Sequence, residues 1–151
     1  MARKFLAYNE EQHLRPRNPN IFRKELYFFY GTLADPATLA KVLNLPNRPV
    51  LQPAKIIGYR CMLWGQYPAL MDDRFRGKVH GVVYEVQSPE DVKLLEAYET
   101  DRYGNTACEI VLEDGTKVIG RTFQWEGQKG DLVEGVFDLK GWQMGGPGAA
   151  L

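Results

Sequence analysis

Apolar residues along the chain fall mostly in short runs of strand length rather than at helical spacing. Leu26 to Tyr30, Lys55 to Trp64, Val79 to Val86, Thr106 to Leu112 and Val118 to Trp125 are rich in aromatic and β-branched side chains, which predicts five strands. The last two are joined by Glu113-Asp114-Gly115-Thr116, where Asp-Gly predicts a two-residue hairpin turn and antiparallel pairing. Two other segments carry helix-start signals. Asp35-Pro36 opens a helix through Leu43, and Ser88-Pro89 opens one to about Glu99, each with an N-cap side chain followed by a proline where no backbone N–H is needed. Many strands with few helices predict an α+β domain, its sheet curled into a small barrel.

Polar, proline-punctuated sequence at the start, including Arg15-Pro16-Arg17-Asn18-Pro19-Asn20, predicts an N-terminal arm over residues 1–24. The folded body is expected over residues 25–142. The glycine-rich stretch from Met144 to Leu151 predicts a flexible C-terminal tail over residues 143–151.

The composition narrows the class. A chain of 151 residues with 44% hydrophobic and 12% aromatic side chains suits one domain with one well-buried core. Nineteen basic and nineteen acidic residues cancel without forming blocks, so no electrostatic footprint for nucleic acid or a membrane surface is present. A small-molecule or protein partner is expected instead. No run of about 18 apolar residues occurs and the first twenty residues lack a signal-peptide core, so the expected location is cytoplasmic. Cys61 and Cys108 are too few and too far apart for a disulfide framework and form no metal-binding pair. The pattern sets no oligomeric state.

The candidate chemistry begins at Tyr30-Gly31-Thr32-Leu33, which closes the first strand just before a helix start. A glycine there lets the backbone turn and present bare N–H groups to an anion or a carbonyl oxygen. In the second helix Val92, Leu95 and Tyr98 mark the apolar side. At 100° per residue Glu99 falls about 20° from Val92 and 40° from Leu95, within the core-facing arc. Burial there and the negative end of the helix dipole both disfavour the carboxylate, and a raised pKa suits a general base and acid near neutral pH. The alternative is that the helix ends one residue earlier, with Glu99 reaching water or pairing with Arg102.

Taken in order, Tyr30-Gly31-Thr32-Leu33, Tyr67-Pro68-Ala69-Leu70, the strand Val79-His80-Gly81-Val82-Val83-Tyr84-Glu85-Val86, and Leu95-Glu96-Ala97-Tyr98-Glu99 followed by Tyr103 resemble the gamma-glutamylcyclotransferase-like family, in its avirulence-induced-gene-like branch. The resemblance spans roughly Leu26 to Phe123. It implies a small mixed β-barrel with flanking helices and a cavity at one mouth. It also implies a cofactor-independent, metal-free cyclotransferase in which the α-amine of a γ-glutamyl amine attacks the γ-carbonyl, giving 5-oxoproline and a free amine. In that reading Glu99 is the acid/base, and Tyr30, Gly31, Thr32, Leu33, Tyr67 and Tyr103 bind the substrate.

One departure stands out. The family commonly has an arginine two residues after the tyrosine that follows the glutamate, and this chain has Asn105 there. The change bears on ligand anchoring or on strand packing, so two alternatives to a cyclotransferase stand. One is a non-catalytic small-molecule-binding or regulatory barrel; the other is a biosynthetic enzyme using the same glutamate for another intramolecular proton transfer. His80, Cys61 and Cys108 are expected to be packing or surface residues, since no local elbow joins a thiol to a histidine base. Tyr67 to Met71 is expected as a pocket wall or as a turn between strands.

Overall fold

The computed structural model describes residues 22–75 and 77–144. The N-terminal arm as far as residue 21 and the tail from residue 145 lie outside the described residues.

Among the described residues, seven strands and three helices follow one another. They are β1 (Glu25–Phe29), α1 (Pro36–Leu43), β2 (Gln52–Ile57), β3 (Tyr59–Trp64), β4 (Tyr67–Asp72), β5 (Lys78–Val86), α2 (Pro89–Glu99), β6 (Tyr103–Leu112), β7 (Lys117–Trp125) and α3 (Leu139–Gln143). A short 3-10 turn, Thr32–Ala34, sits between β1 and α1. Five strands close into a barrel in the order β1-β5-β2-β6-β7, and β3 and β4 form a separate two-stranded sheet. Every barrel pairing is antiparallel except the closing one, where β1 runs parallel to β7 with Tyr27 opposite Arg121 and Phe28 opposite Thr122. The expected mixed barrel with flanking helices is therefore the observed fold.

Both long helices start where their caps predict. Asp35 accepts from the Thr38 amide at 3.0 Å and from its hydroxyl at 2.7 Å. Ser88 accepts from the Asp91 amide at 3.1 Å. Each cap satisfies a donor that the first helical turn leaves without a partner.

The expected strand Lys55 to Trp64 is in fact two. Gly58, at φ +94, breaks it by taking a conformation that side chains with a Cβ avoid, and the chain passes there from the barrel into the second sheet. Tyr67 to Met71 is not a turn but part of β4, paired with β3 so that Trp64 faces Tyr67 and Leu63 faces Pro68. Between β6 and β7 the turn is longer than expected. Leu112 and Thr116 are bonded across it, the Gly115 amide returns to the Leu112 carbonyl, and Gly115 sits at φ +88. This is a three-residue connection with a glycine bulge rather than a two-residue turn. The folded body reaches Gln143, one residue beyond the expected boundary, because a short helix occupies Leu139–Gln143.

Alternation along β1 divides the core. Phe28 packs with Ala54, Ile56, Val79, Val83, Cys108, Ile110 and Val118 from the other barrel strands, and Leu70 of β4 joins them. Tyr27 and Phe29, one residue to either side, pack outward with Leu39 and Leu43 of α1 and Leu95 of α2. The barrel wall thus carries a core on each face, and the helices are held by the outer one.

Candidate active site

A cavity of about 420 Å³ opens at the barrel mouth, where the end of β1, the end of α2 and the β3–β4 hairpin converge. That size suits a small ligand. All seven residues singled out in the sequence line it: Tyr30, Gly31, Thr32, Leu33, Tyr67, Glu99 and Tyr103. Phe28, Phe29, Trp64, Pro68, Tyr98, Thr100, Asp101, Arg102 and Phe123 complete the wall.

The loop after β1 forms the 3-10 turn Thr32–Ala34. The Gly31 carbonyl accepts from the Ala34 amide at 3.0 Å, and that of Thr32 accepts from Asp35 at 3.1 Å. The amides of Gly31, Thr32 and Leu33 have no acceptor among the described residues, as expected of donors at the start of a helical turn. Gly31 has φ −121, so left-handed geometry does not explain it. Its reason is close approach: a Cβ there would stand 3.0 Å from Cγ of Pro68, which lies against it across the cavity wall.

Glu99 is the last residue of α2, so the helix does not stop short of it. Among the described residues no side chain donates a hydrogen bond to its carboxylate, and Arg102 does not pair with it. The Arg102 guanidinium instead lies 4.6 Å from the centre of the Trp64 ring. Burial pushes the Glu99 pKa up to about 7, although the carboxyl still opens onto the cavity. The next residue, Thr100, has φ 65 and ψ −175, a conformation natural only to glycine.

Tyrosines surround this carboxylate. Tyr30, Tyr98 and Tyr103 are close enough to feel its charge, and in each of them burial is the largest cause raising the phenol pKa. All three hydroxyls are committed to the fold. Tyr30 donates to the Phe123 carbonyl and accepts the Leu70 amide at 3.3 Å, which ties β4 to the barrel. Tyr103 donates to the Pro68 carbonyl at 2.9 Å. Tyr98 shares a hydrogen bond of 2.7 Å with the Thr32 hydroxyl, joining α2 to the loop.

Asn105 is not part of the cavity lining. Its Nδ2 donates to the Tyr27 hydroxyl at 2.9 Å, and its Oδ1 accepts from Arg121 Nε at 2.8 Å. The departure thus acts on packing between β1, β6 and β7, where Arg121 from the neighbouring strand brings a guanidinium to the same spot. His80 is exposed, Cys108 is buried and Cys61 is partly buried. Burial pushes both thiols up to about 12, the opposite of an activated nucleophile. Among the described residues no three His, Cys, Asp or Glu side chains gather to hold a metal ion, and no helix is long and apolar enough to cross a membrane.

In the sequence Tyr98 marks only the apolar helix face and Trp64 only the end of a strand-like run, so neither stands out as a cavity residue. Two-residue spacing around Gly65-Gln66 was the available signal, because it sets Trp64 opposite Tyr67 in a hairpin.

The closed mixed barrel, with Glu99 and the loop of residues 30–33 lining one mouth cavity, has the fold of gamma-glutamyl-cyclotransferase-like proteins. The chain belongs to the family described as gamma-glutamyl cyclotransferase, AIG2-like, whose sequence model matches residues 27–143. AIG2-like protein C of Arabidopsis thaliana is 29% identical over 120 residues, covering 78% of this chain and 68% of that protein. A solution structure of another Arabidopsis thaliana protein superposes with a TM-score of 0.64 at 24% identity, covering 83% of this chain and 84% of the other. A structure named gamma-glutamyl cyclotransferase superposes at 0.55 with 14% identity, covering 70% and 68% of the two chains. These likenesses establish the shared fold.

Proposed function

We propose that the protein is a cofactor-independent cyclotransferase acting on a γ-glutamyl amine. The observation that carries the reading is the meeting, in one cavity, of an unpaired glutamate with a pKa of about 7 and a turn whose amides lack acceptors. Family membership supports the same class of reaction.

The chemistry follows from the substrate. Its α-amine and its γ-carbonyl belong to one molecule, so a curled conformation brings the reacting atoms together and the attack needs no second reactant. At neutral pH that amine is an ammonium and cannot attack. Glu99, whose pKa burial pushes up to about 7, takes the proton in its ionised form and frees the lone pair. The new N–C bond closes a five-membered lactam. The departing nitrogen cannot leave as an amide anion, so Glu99 returns the proton to it, and the second proton lost by the α-nitrogen on becoming the lactam N–H follows the same route, so that the amine leaves as an ammonium. The amides of Gly31, Thr32 and Leu33 hold the glutamyl portion, and Tyr67 and Tyr103 line the same cavity.

The test is release of 5-oxoproline from a panel of γ-glutamyl amines by the wild type and by Glu99→Gln. The wild type is expected to turn over at least one member and the variant none while remaining folded. Undiminished release by the variant would overturn the mechanism. The binding-only alternative was motivated by Asn105, and that residue's bonds lie outside the cavity lining.

A further inference from the structure

Four tyrosines line the cavity, and their hydroxyls are not equivalent. Tyr30 bonds Phe123 and Leu70, Tyr98 bonds Thr32, and Tyr103 bonds Pro68. Tyr67 is half-buried, and its hydroxyl has no hydrogen-bond partner among the described residues. Its backbone is nonetheless held firmly. It opens β4 opposite Trp64, and two of the next three residues of that strand are fixed, Pro68 to Tyr103 through its carbonyl and Leu70 to Tyr30 through its amide. Pro68 also lies against Gly31, and Tyr67 lines the same cavity as the loop that carries the free amides. It is near enough to Tyr98 and Tyr103, the two tyrosines that flank Glu99, to interact electrostatically with both.

A protein group fixed in place with an unused donor suits a charge that exists only in the transition state. The other three phenols would each have to give up a protein hydrogen bond to serve it. We propose that Tyr67 is a catalytic residue whose hydroxyl donates to the γ-carbonyl oxygen of the substrate as that oxygen becomes an oxyanion. The assignment rests on the cyclotransferase reading above.

The step balances without any further reactant. As the α-nitrogen forms its bond to the γ-carbon, the carbonyl π pair moves onto oxygen, and Tyr67 hydrogen-bonds that oxygen while keeping its own proton. Collapse restores the carbonyl and breaks the bond to the leaving nitrogen. That nitrogen takes the proton Glu99 removed from the ammonium, and the second proton, shed by the α-nitrogen as it becomes the lactam N–H, passes through Glu99 to the released amine, which departs as an ammonium.

Tyr67→Phe removes only a hydroxyl that no described residue uses, so its melting temperature is expected to match the wild type. With a γ-glutamyl amine that the wild type converts, kcat is expected to fall on the order of 100-fold, as for loss of one oxyanion donor. KM, inhibition by 5-oxoproline and the acidic limb of the pH profile should stay put, because the lost bond forms only in the transition state. Undiminished kcat, a loss confined to KM, or a clear drop in melting temperature would each overturn the assignment. A wild type that releases no 5-oxoproline from any panel member would remove the cyclotransferase reading itself, whereas wild-type turnover with full Tyr67→Phe activity removes Tyr67 alone.

Discussion

Tyr103 donates its hydroxyl to the carbonyl of Pro68 at 2.9 Å, fastening the first residue of β6 to the second of β4. Together with the two bonds at Tyr30, it holds the separate β3–β4 sheet against the barrel so that a cavity exists between them. Tyr103→Phe leaves a buried carbonyl without its donor and is expected to cost about 1 kcal/mol. Tyr30→Phe orphans both the Phe123 carbonyl and the Leu70 amide, so the expected cost is larger, about 2–3 kcal/mol. Urea unfolding of the two variants checks the order. Equal or negligible costs would show that these hydroxyls do not hold the sheet.

Gly31 and Pro68 form a second contact across the same wall. A Cβ at Gly31 would meet Pro68 Cγ at 3.0 Å, tight enough that one of them must shift. Gly31→Ala is expected to destabilise by about 1 kcal/mol through overpacking. In a Pro68→Ala background the obstructing atom is gone and the cost should shrink by roughly 0.5 kcal/mol or more. A double-mutant cycle measured by denaturation gives this coupling directly. Strict additivity would mean that Gly31 is there for some reason other than Pro68.

How much of this was legible beforehand depends on how local the cause is. The starts of α1 and α2 were readable because Asp35-Pro36 and Ser88-Pro89 act within one helical turn. The inward direction of Glu99 followed from its angle to Val92 and Leu95. The β3–β4 sheet was not readable as such. Gly58 gives no sign in a run of apolar residues that the chain is about to leave the barrel, and Pro68 inside β4 argues locally against a strand. Closure of the barrel by parallel pairing of β1 with β7 joins residues some ninety positions apart; the strand pattern pointed to a curled sheet and the resemblance to a mixed barrel, but neither gave the closing pair. The commitment of the Tyr30 hydroxyl to Phe123 was hidden for the same reason, since the sequence marks Tyr30 as a site residue without saying that its oxygen is already used.

Thr100 has φ 65 and ψ −175, immediately after Glu99. A β-branched residue in that region stores strain, on the order of 1–3 kcal/mol, of which glycine's greater unfolded-state freedom takes back part. Thr100→Gly is therefore expected to stabilise the protein by about 1 kcal/mol, while Thr100→Ala, which keeps a Cβ, should not. Chemical denaturation of both variants decides it. If glycine destabilises as much as alanine, the Thr100 side chain contributes more than its backbone costs.

Under the proposed mechanism, Glu99 ties activity and stability to pH with opposite signs. Its pKa is about 7 in the folded protein, against an ordinary value of 4.5, with burial as the cause. The native state therefore holds this proton more tightly than the unfolded chain does. The stabilisation this gives is complete below about pH 4.5 and is lost as the pH rises through 7, when a charged carboxylate must sit in a poorly hydrated cavity wall. Relative to Glu99→Gln, which never ionises, the wild type should lose about 2–3 kcal/mol between pH 4 and pH 8.5, discounted slightly because the carboxyl opens onto the cavity. Thermal melts of the two proteins should lie close together at pH 4 and separate at pH 8.5, with the glutamine variant the more stable. The rate runs the other way. Abstraction of the ammonium proton needs the carboxylate, so kcat/KM should rise with pH through an apparent pKa near 7. The two proteins melting in parallel across this range, together with a rate profile flat from pH 5 to pH 8, would mean that Glu99 ionises like a surface carboxylate and is not the base.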